Sequence, residues 1–213
     1  SIYGYFWKRR RFRGNYKEKL HLFRNRESYS KKEWVAYQTI ELRELLVYAF
    51  NNVPFYTEKY AKAGFTEKDF LKFELKDLHK IPYLSKEELR QFGRTTLISN
   101  LKEKGTYFQS SGSTGTPTEI YFSKNDHRSW NALYESRVRN WAGVHYKMAR
   151  GMIGGRRVLT NSKCEPPFYR YNYAERQAYF SAYHISLETT EQYVKELFET
   201  KIEYLVGYAF SIY

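Results

Sequence analysis

Residues 109–118, Gln-Ser-Ser-Gly-Ser-Thr-Gly-Thr-Pro-Thr, constrain the fold of this chain more than any other stretch. They hold six hydroxyl side chains (Ser110, Ser111, Ser113, Thr114, Thr116 and Thr118), two glycines and one proline. Before them stands a short aromatic run, Thr106, Tyr107 and Phe108. After them, residues 119–123 (Glu-Ile-Tyr-Phe-Ser) alternate with period two. Both flanks read as strands, so the stretch is a tight connection between them. Gly112 and Gly115 free the backbone to fold its N–H groups around an anion, and the hydroxyls add donors at the same place. Pro117 stiffens the exit. Such a loop suits a polyphosphate, although it is not a Walker A loop, because no Gly-Lys-Ser/Thr stands at the required spacing. A flexible Ser/Gly turn has the same composition, and both readings stay open at this level.

Upstream of the loop the pattern is helical. Ser30, with Glu33 three residues on, has the form of a capping box. Val35, Leu42, Leu45, Leu46 and Ala49 then recur at helical spacing as a predicted core face. The helix is predicted to stop at Asn51, Asn52 and Val53, because Pro54 pushes its predecessor out of the α region. A shorter helix is predicted over 57–63 with Gly64 beyond its end, and further starts at Thr66 and Ser85.

From about Gly105 strands alternate with helices. Asn125 or Asp126 is predicted to cap a helix whose core face carries Trp130, Leu133, Tyr134, Val138 and Trp141, with Gly143 past its end. Met152–Ile153 and Val158–Leu159 read as strand pieces broken by Gly154 and Gly155. Residues 161–176 read as an irregular aromatic loop, and 179–185 as a strand. A helix from Ser186 follows, with Tyr193, Val194, Leu197 and Phe198 inward, and then a strand over 202–206. The prediction is an α/β fold with some parallel pairing: a basic aromatic arm (1–29), a helical segment (30–100) and an α/β nucleotide-binding part (101–213).

Charge separates the arm from the rest. Of the formal net charge of +13, nine units fall in residues 1–32, which hold 11 Lys or Arg and 2 acids. The arm joins an aromatic cluster (Ile2, Tyr3, Tyr5, Phe6, Trp7) to a basic one (Lys8, Arg9, Arg10, Arg11, Arg13). It reads either as an arm that packs its aromatics on the body or as a contact for an anionic membrane surface. Nucleic acid is disfavoured, because no RNA-binding or helix-turn-helix signature accompanies the charge. The single cysteine, Cys164, excludes an internal disulfide and fits a reducing, cytoplasmic setting. His21, His79, His127, His145 and His184 form no metal-ligand spacing with one another or with Cys164, so no protein-held metal is predicted. No apolar run reaches membrane-spanning length.

Two further groups are candidates for substrate or phosphate contacts. Arg156 and Arg157 follow a double glycine, and an arginine fork binds phosphate bidentately. The alternative is a pair of surface arginines at a strand start. His184 stands at a strand end before a helix, where α/β proteins place ligands. The alternative there is a packed histidine with its nitrogen satisfied.

Residues 110–117 resemble the signature loop of the adenylate-forming superfamily, Ser/Thr-Ser-Gly-Ser/Thr-Thr-Gly-x-Pro, shared by acyl-coenzyme A synthetases, adenylation domains and luciferases. Within it the chain is most similar to the phenylacetate–coenzyme A ligase-like branch, including bacterial capsule and exopolysaccharide proteins. Residues 34–38, 49–56 (Ala-Phe-Asn-Asn-Val-Pro-Phe-Tyr) and 81–86 (Ile-Pro-Tyr-Leu-Ser-Lys) carry that narrower likeness. Residues 154–157 and 207–209 fit later blocks. Thr116 stands where many relatives carry lysine, which removes a cationic contact from the loop.

The resemblance implies a ligase that uses ATP with Mg2+, activates a carboxylic acid as an acyl adenylate, and passes the acyl group to coenzyme A or another acceptor. Ser110, Ser111, Gly112, Ser113, Thr114, Gly115 and Thr116 would bind the phosphates. Catalytic residues are expected in a carboxy-terminal part outside these residues, so that the chain is expected to be an amino-terminal fragment, inactive alone. The competing readings are a non-catalytic exopolysaccharide-assembly factor that keeps the fold, and a nucleic-acid-binding protein with a basic arm.

Overall fold

The structure, a computed structural model, describes residues 2–110, 117–159, 161 and 165–212. The chain divides into two compact units, residues 24–127 and residues 1–23 with 128–213.

The unit of residues 24–127 is built from capped helices around aromatic rings. Ser30 caps α3 (Lys31–Asn52), the third helix of the chain after α1 (Ile2–Phe12) and α2 (Tyr16–Asn25). Its hydroxyl accepts the Glu33 N–H at 3.3 Å, and the Glu33 carboxylate accepts the Ser30 N–H at 2.7 Å. Two of the unpaired donors of the first turn are thereby satisfied. Val53 ends α3, and Pro54 opens α4 (Pro54–Lys62), where its missing N–H costs nothing. Gly64, at φ +83°, takes the left-handed turn beyond α4. Capping boxes at Thr66 and Ser85 start α5 (Glu67–Leu71) and α6 (Lys86–Phe92).

These helices bury Leu46, Ala49, Tyr60, Phe70 and Phe73 in one cluster, with Phe65 stacked on Phe70. Burial pushes the Tyr60 phenol up to about 12, so it packs as a neutral ring. The predicted apolar stripe of α3 is only half right. Leu46 and Ala49 are buried, whereas Val35 and Leu45 are exposed, because the α4–α5 rings cover only one side of the long helix. The unit ends in an antiparallel hairpin, β1 (Gly105–Gln109) and β2 (Glu119–Ser123), in register from Gly105 opposite Ser123 to Gln109 opposite Glu119.

The second unit is a mixed sheet in the order β4-β5-β3-β6. Strand β3 (Arg150–Gly154) pairs in parallel with β5 (Gln177–Ser181) and with β6 (Tyr204–Gly207), while β4 (Tyr169–Asn172) is antiparallel to β5. The predicted α/β class with parallel pairing is found. Ile153, Leu159, Phe168, Ala178, Phe180 and Tyr193 form the core.

Several local expectations are corrected. The stretch predicted as an irregular loop contains β4, the strand expected over 179–185 stops at Ser181, and Val158–Leu159 is not a strand. The helix α7 (Lys124–Tyr134) is capped by Ser123: its hydroxyl accepts the Asp126 N–H, and Asp126 accepts the Ser123 N–H, each at 3.0 Å. The helix path continues through a π-helical turn, Glu135–Asn140, and the predicted core face there is reversed. Trp130, Leu133, Val138 and Trp141 are exposed, while Asn131, Ala132, Glu135, Ser136 and Arg139 are buried.

The reversal has two causes. The buried charges are paired: Arg139 donates to Glu135 at 2.9 Å, and Glu135 also accepts the Tyr146 N–H at 3.0 Å. The wider π turn also moves later side chains off a stripe drawn at 3.6 residues per turn. The helix α8 (Thr190–Glu199) repeats the lesson. Tyr193 is buried as predicted, but Val194 and Phe198 are exposed, and Glu196 is fully buried. Its carboxylate accepts the Phe168 N–H at 3.0 and 3.1 Å. A short helix, α9 (Ala209–Ile212), follows β6.

Candidate functional site

The hairpin fixes the neck of the loop. Residues 111–116, the predicted phosphate-binding Ser111, Gly112, Ser113, Thr114, Gly115 and Thr116, lie outside the described residues. Ser110 is described. Its N–H donates to the Thr118 carbonyl at 2.9 Å, and its hydroxyl oxygen accepts the Thr118 N–H at 2.9 Å and the Thr118 hydroxyl at 3.1 Å. Ser110 therefore closes the neck with its lone pairs and keeps its O–H hydrogen for donation.

One residue further from the loop, Glu119 holds two side chains, Arg94 and Gln109. Arg94 grips its carboxylate through two nitrogens, one at 2.7 Å, and Gln109 donates to it at 2.9 Å. The Arg94 guanidinium first, and then the Gln109 amide, hold the Glu119 carboxyl down at about 2. The Arg94 guanidinium also lies over the Tyr107 ring at 4.7 Å. Its charge is matched at the neck, so Arg94 is a clamp on the hairpin rather than a spare cation. Sequence reading missed this clamp because Arg94 and Glu119 are 25 residues apart and neither belongs to a motif.

The same unit holds a cavity of about 520 Å3 whose walls include Tyr48, Leu101, Tyr121 and Asp126. The Tyr48 and Ser99 hydroxyls share a hydrogen bond of 2.6 Å, and Asn125 donates to both Glu103 oxygens at 2.9 Å. Nothing in the sequence marks these residues as a group.

In the sheet unit, Arg156, Arg157 and His184 come to the carboxyl ends of parallel strands, the edge where open α/β sheets place ligands. Arg156 follows β3 and lies over the Tyr179 ring at 5.2 Å, and Arg157 lies over the Tyr183 ring at 6.0 Å. Both arginines are exposed. Stacking uses the face of a guanidinium and keeps its N–H fork available for an anion. The Tyr183 hydroxyl donates to the Gly155 carbonyl at 3.0 Å, and the Tyr208 N–H donates to the Ile153 carbonyl at 3.2 Å, so residues after β3, β5 and β6 are tied into one rim. Tyr183 carried no sequence signal beyond being aromatic, whereas Tyr208 lies within residues 207–209, which fit a later block of the resemblance.

His184 has a partner on each ring nitrogen. Nε2 lies 2.8 Å from the Asn161 carbonyl and Nδ1 lies 2.7 Å from the Ser181 hydroxyl. A carbonyl only accepts, so Nε2–H donates to Asn161, while Nδ1 shares a hydrogen bond with the Ser181 hydroxyl. With Phe168 stacked against the ring at 5.7 Å, this is the packed, satisfied histidine of the alternative reading. It forms a wall of the rim.

Among the described residues no group of three or more His, Cys, Asp or Glu could hold a metal ion. No described helix is long and apolar enough to cross a membrane.

No protein-family model matches the chain. Individual proteins do. Protein CapK of Staphylococcus aureus is 28% identical over all 213 residues, which cover 45% of CapK. The phenylacetate-coenzyme A ligase of Escherichia coli K12 is 32% identical over 135 residues, 61% of this chain and 30% of that enzyme. The enzyme of the same name from Thermus thermophilus is 34% identical over 101 residues, 47% of this chain and 22% of its own length. The chain thus spans less than half the length of the curated relatives it matches. It is similar to the phenylacetate–coenzyme A ligases and to Protein CapK, as its sequence blocks suggest.

Proposed function

We propose that this chain handles the triphosphate in an ATP-dependent, adenylate-forming ligase that activates a carboxylic acid and delivers it to coenzyme A. The observation that carries the reading is a signature phosphate loop on a clamped hairpin neck, in a chain similar to phenylacetate-coenzyme A ligases. In the reaction a carboxylate oxygen attacks the α-phosphorus and pyrophosphate leaves. The thiol of coenzyme A then takes the acyl group and AMP departs.

The protein's task is to hold the β- and γ-phosphates still and to stabilise charge on the departing pyrophosphate. Ser111, Ser113, Thr114 and Thr116 donate hydroxyl hydrogen bonds in this reading, and Gly112 and Gly115 let backbone N–H groups approach. Ser110 contributes its remaining O–H from the neck. Magnesium arrives with the nucleotide as part of the substrate, and the Glu119 carboxylate at the hairpin neck is already committed to Arg94. Arg156 and Arg157 are the cations proposed to meet an anionic group of substrate or nucleotide, with His184 as a packed wall. The setting proposed is the cytoplasm.

Equilibrium binding of Mg·ATP to the chain tests the reading. Each hydrogen bond to a charged phosphate is worth roughly 1.5–3 kcal/mol. Ser111→Ala with Thr114→Ala should therefore weaken binding by at least about a hundredfold while the circular dichroism stays unchanged. Equal affinity in the folded double variant would refute the assignment.

A further inference from the structure

We propose that the outward face of α1 docks on an anionic lipid membrane. The helix is fastened by its other face. Gly4 is buried, and a Cβ there would lie 2.1 Å from the Asn172 amide oxygen, so a larger residue would displace the Asn172 side chain. Arg11 pairs with Glu175 at 3.0 Å, Lys8 donates to the Ala174 carbonyl at 2.6 Å, and Phe12 stacks on Tyr146 at 4.1 Å.

With that face docked, the helical period turns Ile2, Phe6 and Arg9 the opposite way. Ile2 is 79% exposed, Phe6 62%, Tyr3 61% and Tyr5 50%; Arg9 and, just past the helix, Arg13 are exposed beside them. The helix contains no acidic residue. Water does not reward the exposure of Ile2 and Phe6 together. A lipid interface does, because apolar side chains enter the acyl boundary while cations meet the headgroups. A cleft of about 290 Å3 opens along the same helix, lined by Tyr5, Lys8, Arg9, Phe12, Arg13 and Tyr146. Three cations between aromatic walls fit a lipid phosphate. Nucleic acid matches the charge equally well but gives Ile2 no apolar phase to enter, so the membrane is the occupant that uses the whole face.

The test is co-sedimentation of the chain with vesicles of phosphatidylcholine alone, or with roughly a third phosphatidylserine, at fixed salt. The chain should bind the anionic vesicles and leave the neutral ones. Arg9→Gln with Arg13→Gln should weaken binding about 25-fold, on the order of fivefold per cation. Ile2→Ser with Phe6→Ser should weaken it by about tenfold or more. Both pairs are solvent-facing, and unchanged circular dichroism confirms that each variant is folded. As a second readout, Phe6→Trp emission should shift to the blue on anionic vesicles only. The proposal is overturned by absence of binding to anionic vesicles, or by an Ile2/Phe6 variant that binds as tightly as the parent. Unshifted Phe6→Trp emission, or RNA binding that outcompetes vesicles and ignores the apolar pair, overturns it as well.

Discussion

The helical unit and the sheet unit bury different chemistry. In residues 24–127 the helices close over rings: Phe70 is fully buried, and Phe50, Tyr60, Phe65 and Phe73 pack edge-on, tilted or stacked around it. In residues 128–213 the helices turn charge inward. Glu135 and Arg139 are buried as a pair, Glu196 is buried on a backbone N–H, and Trp141 and Phe198 stand outside. An apolar stripe is therefore a partial guide to burial in the first unit, where Leu46 and Ala49 go inside but Val35 and Leu45 do not, and a poorer one in the second. The reason is energetic: a charge goes inside only where its partners are already placed, and those partners come from distant parts of the chain.

Paired substitutions sharpen this difference most strongly. Phe70→Ala should cost the helical unit roughly 3–5 kcal/mol through the cavity it leaves. Glu135→Ala should cost the sheet unit about the same, roughly 3–5 kcal/mol, for another reason: Arg139 is left buried and unpaired. The two causes separate on rescue. Glu135→Met with Arg139→Leu should recover most of the loss, because an apolar pair of similar volume has no desolvation penalty. No second-site change of charge should rescue Phe70→Ala. Denaturant midpoints measure all of these. A Glu135/Arg139 double variant as unstable as Glu135→Ala would break the contrast.

Caps offer a smaller effect. Ser85→Ala removes the acceptor of the Glu88 N–H, which lies at 3.0 Å, and should cost about 1 kcal/mol. The loss should appear as faster amide exchange in α6. An unchanged α6 would mean that the Lys59–Glu88 ion pair of 2.6 Å, and not the cap, sets the start of this helix.

Caps also mark what could be read from the sequence. Ser30, Thr66 and Ser85 start helices because the donor and acceptor lie three residues apart, and Pro54 stops one helix and starts the next by local sterics. The hairpin flanks and the parallel class were legible in the same way, from period and alternation. What was not legible is nonlocal. The cap of α7 is the local exception: Ser123 and Asp126 lie three residues apart, but Ser123 also ends the alternating run of β2, which masks its capping role. The inward face of that helix path was inverted because Tyr146 and Arg139 answer Glu135 only in the folded chain. In the candidate site the signature residues were visible as a string. The clamp of Arg94 on Glu119 and the bond from Tyr183 to Gly155 were not, since each joins residues that share no motif.

The smallest expected effect concerns acid. Among the described residues the helical unit holds Glu33, Glu58, Asp69, Asp77, Glu88 and Glu119 below their ordinary range, each chiefly through a hydrogen bond to a cap residue, a lysine or an arginine. In the sheet unit Glu188 is held likewise, by Ser186. A carboxyl whose folded pKa is depressed adds stability that is complete above its unfolded pKa and is lost as pH falls through the folded value. For Glu119 that window runs from its ordinary 4.5 down to about 2. These carboxyls should therefore give the helical unit a small loss of stability as pH falls below about 5. Glu119 is partly exposed, so its own share is small and screened by salt. Glu119→Gln keeps an acceptor for Arg94 without the titration, and its midpoint should fall less than the parent's between about pH 5 and about pH 2.5. Measured at low and at high salt, the gap between variant and parent should close as salt rises. Parallel pH profiles for the two proteins at low salt would show that the Arg94 clamp holds the loop's neck in shape without contributing to its stability.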